Sequence, residues 1–177
     1  MTLRRRPRRM LASAAALAAL AVVAPSCRSP AEGTSASAPG PNAIVDSVID
    51  GDTIDVAIDG RHERVRLIGI DTPETKDKDA PIECYGPEAS ALTELLLPKG
   101  TAVRLERDVE PRDDYGRLLA YVHRGSDGLF VNLELARQGA AVVLSIRPNT
   151  AYAAVIAAAQ DEAHRAGRGL WGACPRP

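Results

Sequence analysis

Between residues 54 and 67 the chain alternates: Ile54, Val56 and Ile58 are interleaved with Asp55, Ala57 and Asp59, the pair Asp59-Gly60 follows, and Val65 and Leu67 resume the spacing. A period of two sends successive side chains to opposite faces of a strand, and Asp-Gly suits the tight turn between two such strands. The segment is therefore bound to an antiparallel hairpin with one buried face, because a slip of one residue would turn every apolar side chain to water. Upstream, Ile44, Val45, Val48 and Ile49 form another apolar stretch, cut by Asp50-Gly51-Asp52. Three strands are thus expected to meander antiparallel from Ala43 to Ile70, the last running straight into Asp71, Thr72, Pro73 and Glu74.

Downstream, Pro87 at a first helical position opens a helix over Glu88 to Leu97, closed by Pro98-Lys99-Gly100. Val103 and Leu105 mark a fourth strand and Leu118 to Val122 a fifth. Leu129 to Gln138 reads as a helix stopped by Gly139, and Thr150 to Ala166 as a last helix started by Asn149-Thr150 and ended by Gly167. The expected class is α+β: five strands with about three helices, compatible with a small closed barrel of the oligonucleotide-binding type, although periodicity alone does not choose that topology. A chain of 177 residues suits one domain. We place it at residues 43–174, with no internal repeat.

Residues 1–27 have another character. Five arginines precede an apolar, alanine-rich run of about 15 residues from Met10 to Ala24, with no acid present. That length fits a signal peptide better than a membrane span, which needs about 20 residues. Arg8-Arg9-Met10-Leu11 resembles a twin-arginine signal and Ala24-Pro25-Ser26-Cys27 is a poor lipobox, so the route of export stays open. If Cys27 were lipidated, residues 28–42, rich in Ser, Ala, Pro and Gly, would tether the domain to a membrane; otherwise they are a disordered linker. Export would leave the protein secreted or periplasmic. In such an oxidising compartment the remaining cysteines, Cys84 and Cys174, are expected to form a disulfide.

Removing the leader also changes the charge. The chain has 22 basic and 23 acidic residues, and the leader takes five arginines and no acid, leaving 17 against 23, or −6. This excludes a broad basic surface of the kind that draws affinity from counterion release along a nucleic acid. Phosphate binding, if any, has to be local.

Candidates for such a local site cluster at turns and strand ends. Asp52 and Asp71 are hard oxygen ligands suited to Ca²⁺ or Mg²⁺, whereas His62, His123 and His164 lack the spacing of a transition-metal site. Arg66, inside Val65 to Ile70, and Arg117, after Asp114-Tyr115-Gly116, carry guanidinium groups that grip phosphate bidentately. Taken singly, an Asp beside Gly is an ordinary turn residue and a strand arginine is usually solvated or ion-paired. Taken together with Glu74, they supply the parts that phosphodiester hydrolysis needs: charge on the non-bridging oxygens, a group to activate water, and a stabiliser for the leaving oxygen.

The segments VIDGDT (48–53), VRLIGIDTPET (65–75), YGPEA (85–89), DYGRLLAYV (114–122) and LARQGAA (135–141), with Gly169-Leu170-Trp171-Gly172 near the end, together resemble the staphylococcal nuclease-like family over about residues 43–172. The resemblance implies an oligonucleotide-binding-fold barrel and a Ca²⁺-dependent phosphodiesterase acting on DNA and RNA to leave 3′-phosphate ends. It assigns Asp52 and Asp71 to the metal with a backbone carbonyl from Thr72, Glu74 to activation of the attacking water, and Arg66 and Arg117 to the phosphate. Tyr115 would help to bind a terminal phosphate, and Asp50 would order water or the turn beside the metal rather than touch it.

Two departures stand out. Where the family's best-known member lines its nucleotide site with two tyrosines, this chain has Leu144 and Ile146, so base stacking is lost. The loop that holds several lysines in that member reads KDKDAPIEC here, with acids balancing the lysines. A monomer acting on single-stranded or locally open DNA and RNA is the leading expectation. The competing ones are a catalytically weak nuclease-like binding module of the cell envelope and a structural lipoprotein anchored through Cys27.

Overall fold

The computed structural model describes residues 39–75 and 81–175; the leader, Cys27, all of the 28–42 segment before residue 39, and residues 76–80 of the acid-balanced loop lie outside them. The expected hairpin is β2 (Thr53–Ile58) and β3 (Arg61–Leu67), preceded by β1 (Ala43–Val48). Asp59 and Gly60 turn the chain with φ of 49° and 77°, the left-handed values that make Asp-Gly the natural sequence there. Registers run Thr53↔Arg66 to Ile58↔Arg61, so Ile54, Val56, Val65 and Leu67 all face inward and are fully buried. Burying such a side chain is worth about 1.5–3 kcal/mol, and the four together hold this wall of the barrel rigid.

The third strand does not run to Ile70 as its apolar sequence suggests. Gly69, at φ 84°, breaks it after Leu67, and a Cβ there would lie 2.8 Å from Ile156 Cδ1. The kink redirects β4 (Gly69–Asp71) out of the barrel into a two-stranded antiparallel sheet with β7 (Val142–Leu144), pairing Gly69 with Leu144 and Asp71 with Val142. The barrel closes instead through β5 (Ala102–Glu106) and β6 (Leu118–Arg124) in the order β1-β2-β3-β6-β5, with β1 pairing back to β5. The β3–β6 ladder is parallel, Val65 against Leu118 and Leu67 against Ala120. This is the five-stranded closed barrel of the α+β class expected from the sequence.

Three helices cover it: α1 (Gly86–Leu96), α2 (Val131–Arg137) and α3 (Ala153–Arg165), followed by the single turn α4 (Leu170–Ala173). Two of their polar residues serve the barrel. Thr93 of α1 donates its hydroxyl to the Gly51 carbonyl at 2.6 Å, fixing the turn between β1 and β2. Buried Asn132 of α2 accepts from Val122 N–H at 2.9 Å and donates to the Ile68 carbonyl at 2.8 Å, satisfying the backbone exposed by the β3–β4 kink. Asn149 does not cap the last helix, which begins three residues later than its sequence suggests. Its side-chain amide bonds both the N–H and the C=O of Glu110, at 2.8 and 2.9 Å, and so holds the loop after β5. Cys84 and Cys174 are joined by a disulfide with Cα atoms 5.9 Å apart, across 90 residues of sequence. In the chain-entropy model such a loop contributes about 4–5 kcal/mol.

Candidate active site

The site assembles where the β1–β2 turn, the end of β3, the loop after β4 and the turn before β6 meet. Gly51 lets two of these approach: a Cβ on it would lie 2.6 Å from Thr72 Oγ1. Asp52 follows, only 6% exposed. One of its carboxylate oxygens accepts the Thr53 hydroxyl at 3.1 Å; the other accepts Thr72 N–H at 2.9 Å and the Thr72 hydroxyl at 3.2 Å. Its own N–H donates to Asp50 Oδ1 at 3.2 Å, so Asp50 braces the turn from outside. Burial pushes the Asp52 carboxyl up to about 6, against the pull of Arg66 and Thr72 N–H and with help from Asp50 and Asp71. A divalent cation beside it would reverse that balance by favouring the charged form.

Arg66 is the centre of the arrangement. Its Nη1 donates to the carbonyls of Leu67 and Ile70 at 2.7 and 2.9 Å, pinning both sides of the kink, while its Nη2 lies 2.6 Å from Asp71 Oδ1 and 3.1 Å from Asp52 Oδ2. Asp52 and Asp71 thus face one point. Glu74, two residues beyond Thr72, orients its carboxylate by accepting Thr75 N–H at 2.7 Å.

Arg117 comes from a turn that Asp113 builds. Asp113 Oδ1 accepts the N–H groups of Tyr115 and Arg117 at 3.1 and 2.9 Å, and Oδ2 accepts Arg117 Nε at 2.7 Å. Burial works to raise the Asp113 carboxyl, but these bonds outweigh it and hold the pKa below the ordinary carboxylate value. The guanidinium also lies 5.4 Å above the Tyr115 ring, within range of a cation–π attraction. Sequence reasoning passed over Asp113; the signal was an Asp two residues before the first amide it caps in Asp113-Asp114-Tyr115-Gly116, the pattern of a side-chain-closed turn.

A polar cleft of about 220 Å³ is lined by Asp50, Asp52, Arg66, Asp71, Thr72, Glu74 and Arg117 among others, so every residue singled out from the sequence except Tyr115 for metal, water or phosphate chemistry borders one space. Tyr115 lies beyond this cleft, 85% exposed, at the edge of a neighbouring cavity of about 390 Å³ that shares Arg66 and Arg117. Leu144 and Ile146 form part of that second wall. Among the described residues no group of three or more His, Cys, Asp or Glu side chains could hold a metal by itself. The two convergent carboxylates of Asp52 and Asp71 are nevertheless hard oxygen donors, which suit a cation such as Ca²⁺ or Mg²⁺ better than a metal that seeks nitrogen or sulfur.

A five-stranded barrel whose rim joins paired carboxylates to two guanidinium groups has the equipment of an enzyme that acts on phosphate esters. The model of the family described as "Staphylococcal nuclease homologue" matches residues 64–173. The chain is 47% identical over 132 residues to a thermonuclease of Staphylococcus intermedius, covering 75% of this chain and 77% of that protein. It is 44% identical over 124 residues to a thermonuclease of Staphylococcus hyicus, covering 70% and 72%. It is also 42% identical to the endonuclease YncB of Bacillus subtilis over 113 residues, which are 63% of this chain and 52% of that protein. The chain belongs to the staphylococcal nuclease-like family and is a nuclease, a hydrolase that takes nucleic acid as substrate.

Proposed function

We propose that the protein is an exported, Ca²⁺-dependent phosphodiesterase that cuts DNA and RNA, from ends and internally, with little sequence specificity and leaves 3′-phosphate ends. The observation that carries this reading is the single polar cleft bordered by Asp52, Asp71, Glu74, Arg66 and Arg117. Asp52 and Asp71, with the Thr72 carbonyl, would hold the cation, which when bound supplies Lewis-acid polarisation of the phosphate oxygens. Asp50 keeps Asp52 in place through the turn.

In the hydrolytic step Glu74 takes a proton from water as the water oxygen bonds to phosphorus. Arg66 and Arg117 balance the charge that grows on the non-bridging oxygens, and the P–O5′ bond breaks with Arg117 beside the departing oxygen. Tyr115 stands at the edge where a terminal phosphate would end. Leu144 and Ile146 offer the adjoining base an apolar surface in place of a ring to stack on. With a balance of −6 and no basic track, recruitment rests on these few charges, so single-stranded or locally open substrates, which bend into a short cleft, are preferred. The arginine-headed apolar leader and the disulfide support export, with anchoring at the envelope if Cys27 is acylated, and the protein acts as a monomer.

One observation favours the second reading, a weakly catalytic binding module: Arg66 and Arg117 are already paired with Asp71 and Asp113. Incubating the purified chain with single-stranded DNA in Ca²⁺ and then in EGTA separates the two. Cleavage that needs Ca²⁺ and yields 3′-phosphate ends supports the nuclease mechanism as written. Binding without cleavage at high protein concentration supports the module.

A further inference from the structure

Glu74 borders the cleft from the loop after β4. Asp71, Thr72 and Pro73 share the lining of a cavity of about 290 Å³ with Glu83, Leu170 and the Cys84–Cys174 disulfide. Within that group, Glu83 meets the main chain of Glu74 twice. The Glu83 carboxylate accepts the Glu74 N–H at 2.9 Å, and the Glu83 N–H donates to the Glu74 carbonyl at 3.0 Å. Both backbone groups of Glu74 are therefore satisfied by a residue nine positions on. The position of that backbone decides where the Glu74 carboxylate and its Thr75 N–H donor point.

Glu83 is in turn fixed by the residues on its C-terminal side. Its carbonyl accepts Gly86 N–H at 3.1 Å, and Gly86 sits so close to the loop that a Cβ would lie 2.7 Å from Thr75 Cγ2 and 3.0 Å from the Pro73 carbonyl. Its neighbour Cys84 crosses the cavity covalently to Cys174 at the end of α4. That end is anchored: Leu170 N–H donates to the Gly139 carbonyl at 2.9 Å, and Gly139 and Gly169 approach so closely that neither has room for a Cβ. A rigid path thus runs from the end of α2 through α4 and the disulfide to Glu83, and from Glu83 to the main chain of Glu74.

We propose that Glu83 is a positioning residue for Glu74, and that the Cys84–Cys174 disulfide acts on catalysis by holding Glu83 in place. This rests on Glu74 activating the water. A carboxylate displaced by about 1 Å from its productive place loses on the order of a hundredfold in rate, whereas ground-state binding of phosphate by Arg66 and Arg117 does not depend on it. The effect therefore falls on kcat and leaves KM alone.

The test is a kinetic cycle on the full chain in Ca²⁺ with a short single-stranded DNA. Glu83→Ala is expected to lower kcat about ten- to hundredfold at unchanged KM and melting temperature, while Glu83→Gln, which keeps a carbonyl acceptor for the Glu74 N–H, retains most of the parent kcat. The Cys84→Ser/Cys174→Ser pair is expected to lower kcat in its own right, and adding Glu83→Ala to it is expected to cost little more, because both changes release the same clamp. If Glu83→Ala keeps the parent kcat while Glu74→Gln is inactive, or if Glu83→Gln falls as far as Glu83→Ala, the positioning role is overturned. If the losses multiply, the disulfide does not act through Glu83. An active Glu74→Gln would instead overturn the assignment of Glu74 and this proposal with it.

Discussion

The barrel wall and the rim loop each bring a carboxylate to the same guanidinium, and they hold it by different means. Asp52 stands on the wall, with a side chain 8% exposed, and is fastened by Thr53, Thr72 and the Asp50-braced turn beside fully buried Ile54, Val65 and Leu67. Asp71 stands on the rim with a side chain 51% exposed, and Arg66 is the partner that orients it. Stability and preorganisation come from the wall; reach and adaptability come from the rim. A site built across such a boundary sets one carboxylate on a rigid base and the other where it can adjust.

The sharpest way to test this division is to remove a rim group and read both activity and stability. Glu74→Gln keeps the volume and the acceptor for Thr75 N–H but takes no proton, so turnover is expected to fall by about 10²–10⁴ while the denaturant midpoint stays at the parent value. Arg117→Ala should lose turnover alike, with a midpoint lowered by no more than the roughly 1 kcal/mol that its ion pair with Asp113 is worth. Near-parent rates in either variant would break the mechanism. A large drop in the midpoint of Glu74→Gln would break the division.

The wall variant Arg66→Ala should fail on both counts. It strands Asp52 in a buried place with no cation and leaves the Leu67 and Ile70 carbonyls without their donor. Removing one partner of a buried pair costs about 3–5 kcal/mol, visible as a lower urea midpoint at unchanged slope. If stability held while only activity fell, Arg66 would belong to the rim in energetic terms.

These contrasts were unevenly legible in the sequence. The wall was readable because Ile54, Val56, Val65 and Leu67 obey a strict period of two and Asp59-Gly60 marks the turn. The candidate site residues could be named because motifs of fixed order carry them. What escaped notice was set by tertiary geometry. Ile68-Gly69-Ile70 looks like the continuation of a strand, and only the packing of Ile156 against Gly69 shows why the chain must bend there. Asn149 carries a perfect helix-start signal, yet the backbone of Glu110 competes for its amide and wins both bonds. Glu83 bears no motif at all, because its role depends on a backbone nine residues away.

A smaller effect probes the apolar cavity next to the cleft. Leu144 and Ile146 are 38% and 64% exposed, so an aromatic ring fits at the edge without repacking the core. Leu144→Tyr is expected to tighten single-stranded DNA by about 1–3 kcal/mol through stacking, measured as a lower KM with kcat unchanged or reduced by slower product release. An unchanged KM would mean that bases do not lie over this surface.

The smallest expected effect concerns the turn that presents Arg117, and its sign follows from the lowered pKa of Asp113. Burial opposes the charge, but the bonds from Arg117 and Tyr115 prevail, so the folded protein holds the proton less tightly than the unfolded chain. The group then adds stability above its unfolded value of about 3.8, and that contribution is lost as pH falls through the lower folded value. Asp113→Asn keeps an oxygen for the two backbone N–H groups and loses the ion pair with Arg117 Nε. It should melt below the parent by an amount worth about 1 kcal/mol at pH 7, with the gap closing once the pH drops below the folded value. A gap that persisted in acid would locate the stabilisation in the turn's neutral hydrogen bonds rather than in the charge, and Arg117 would then be held by the backbone of its turn.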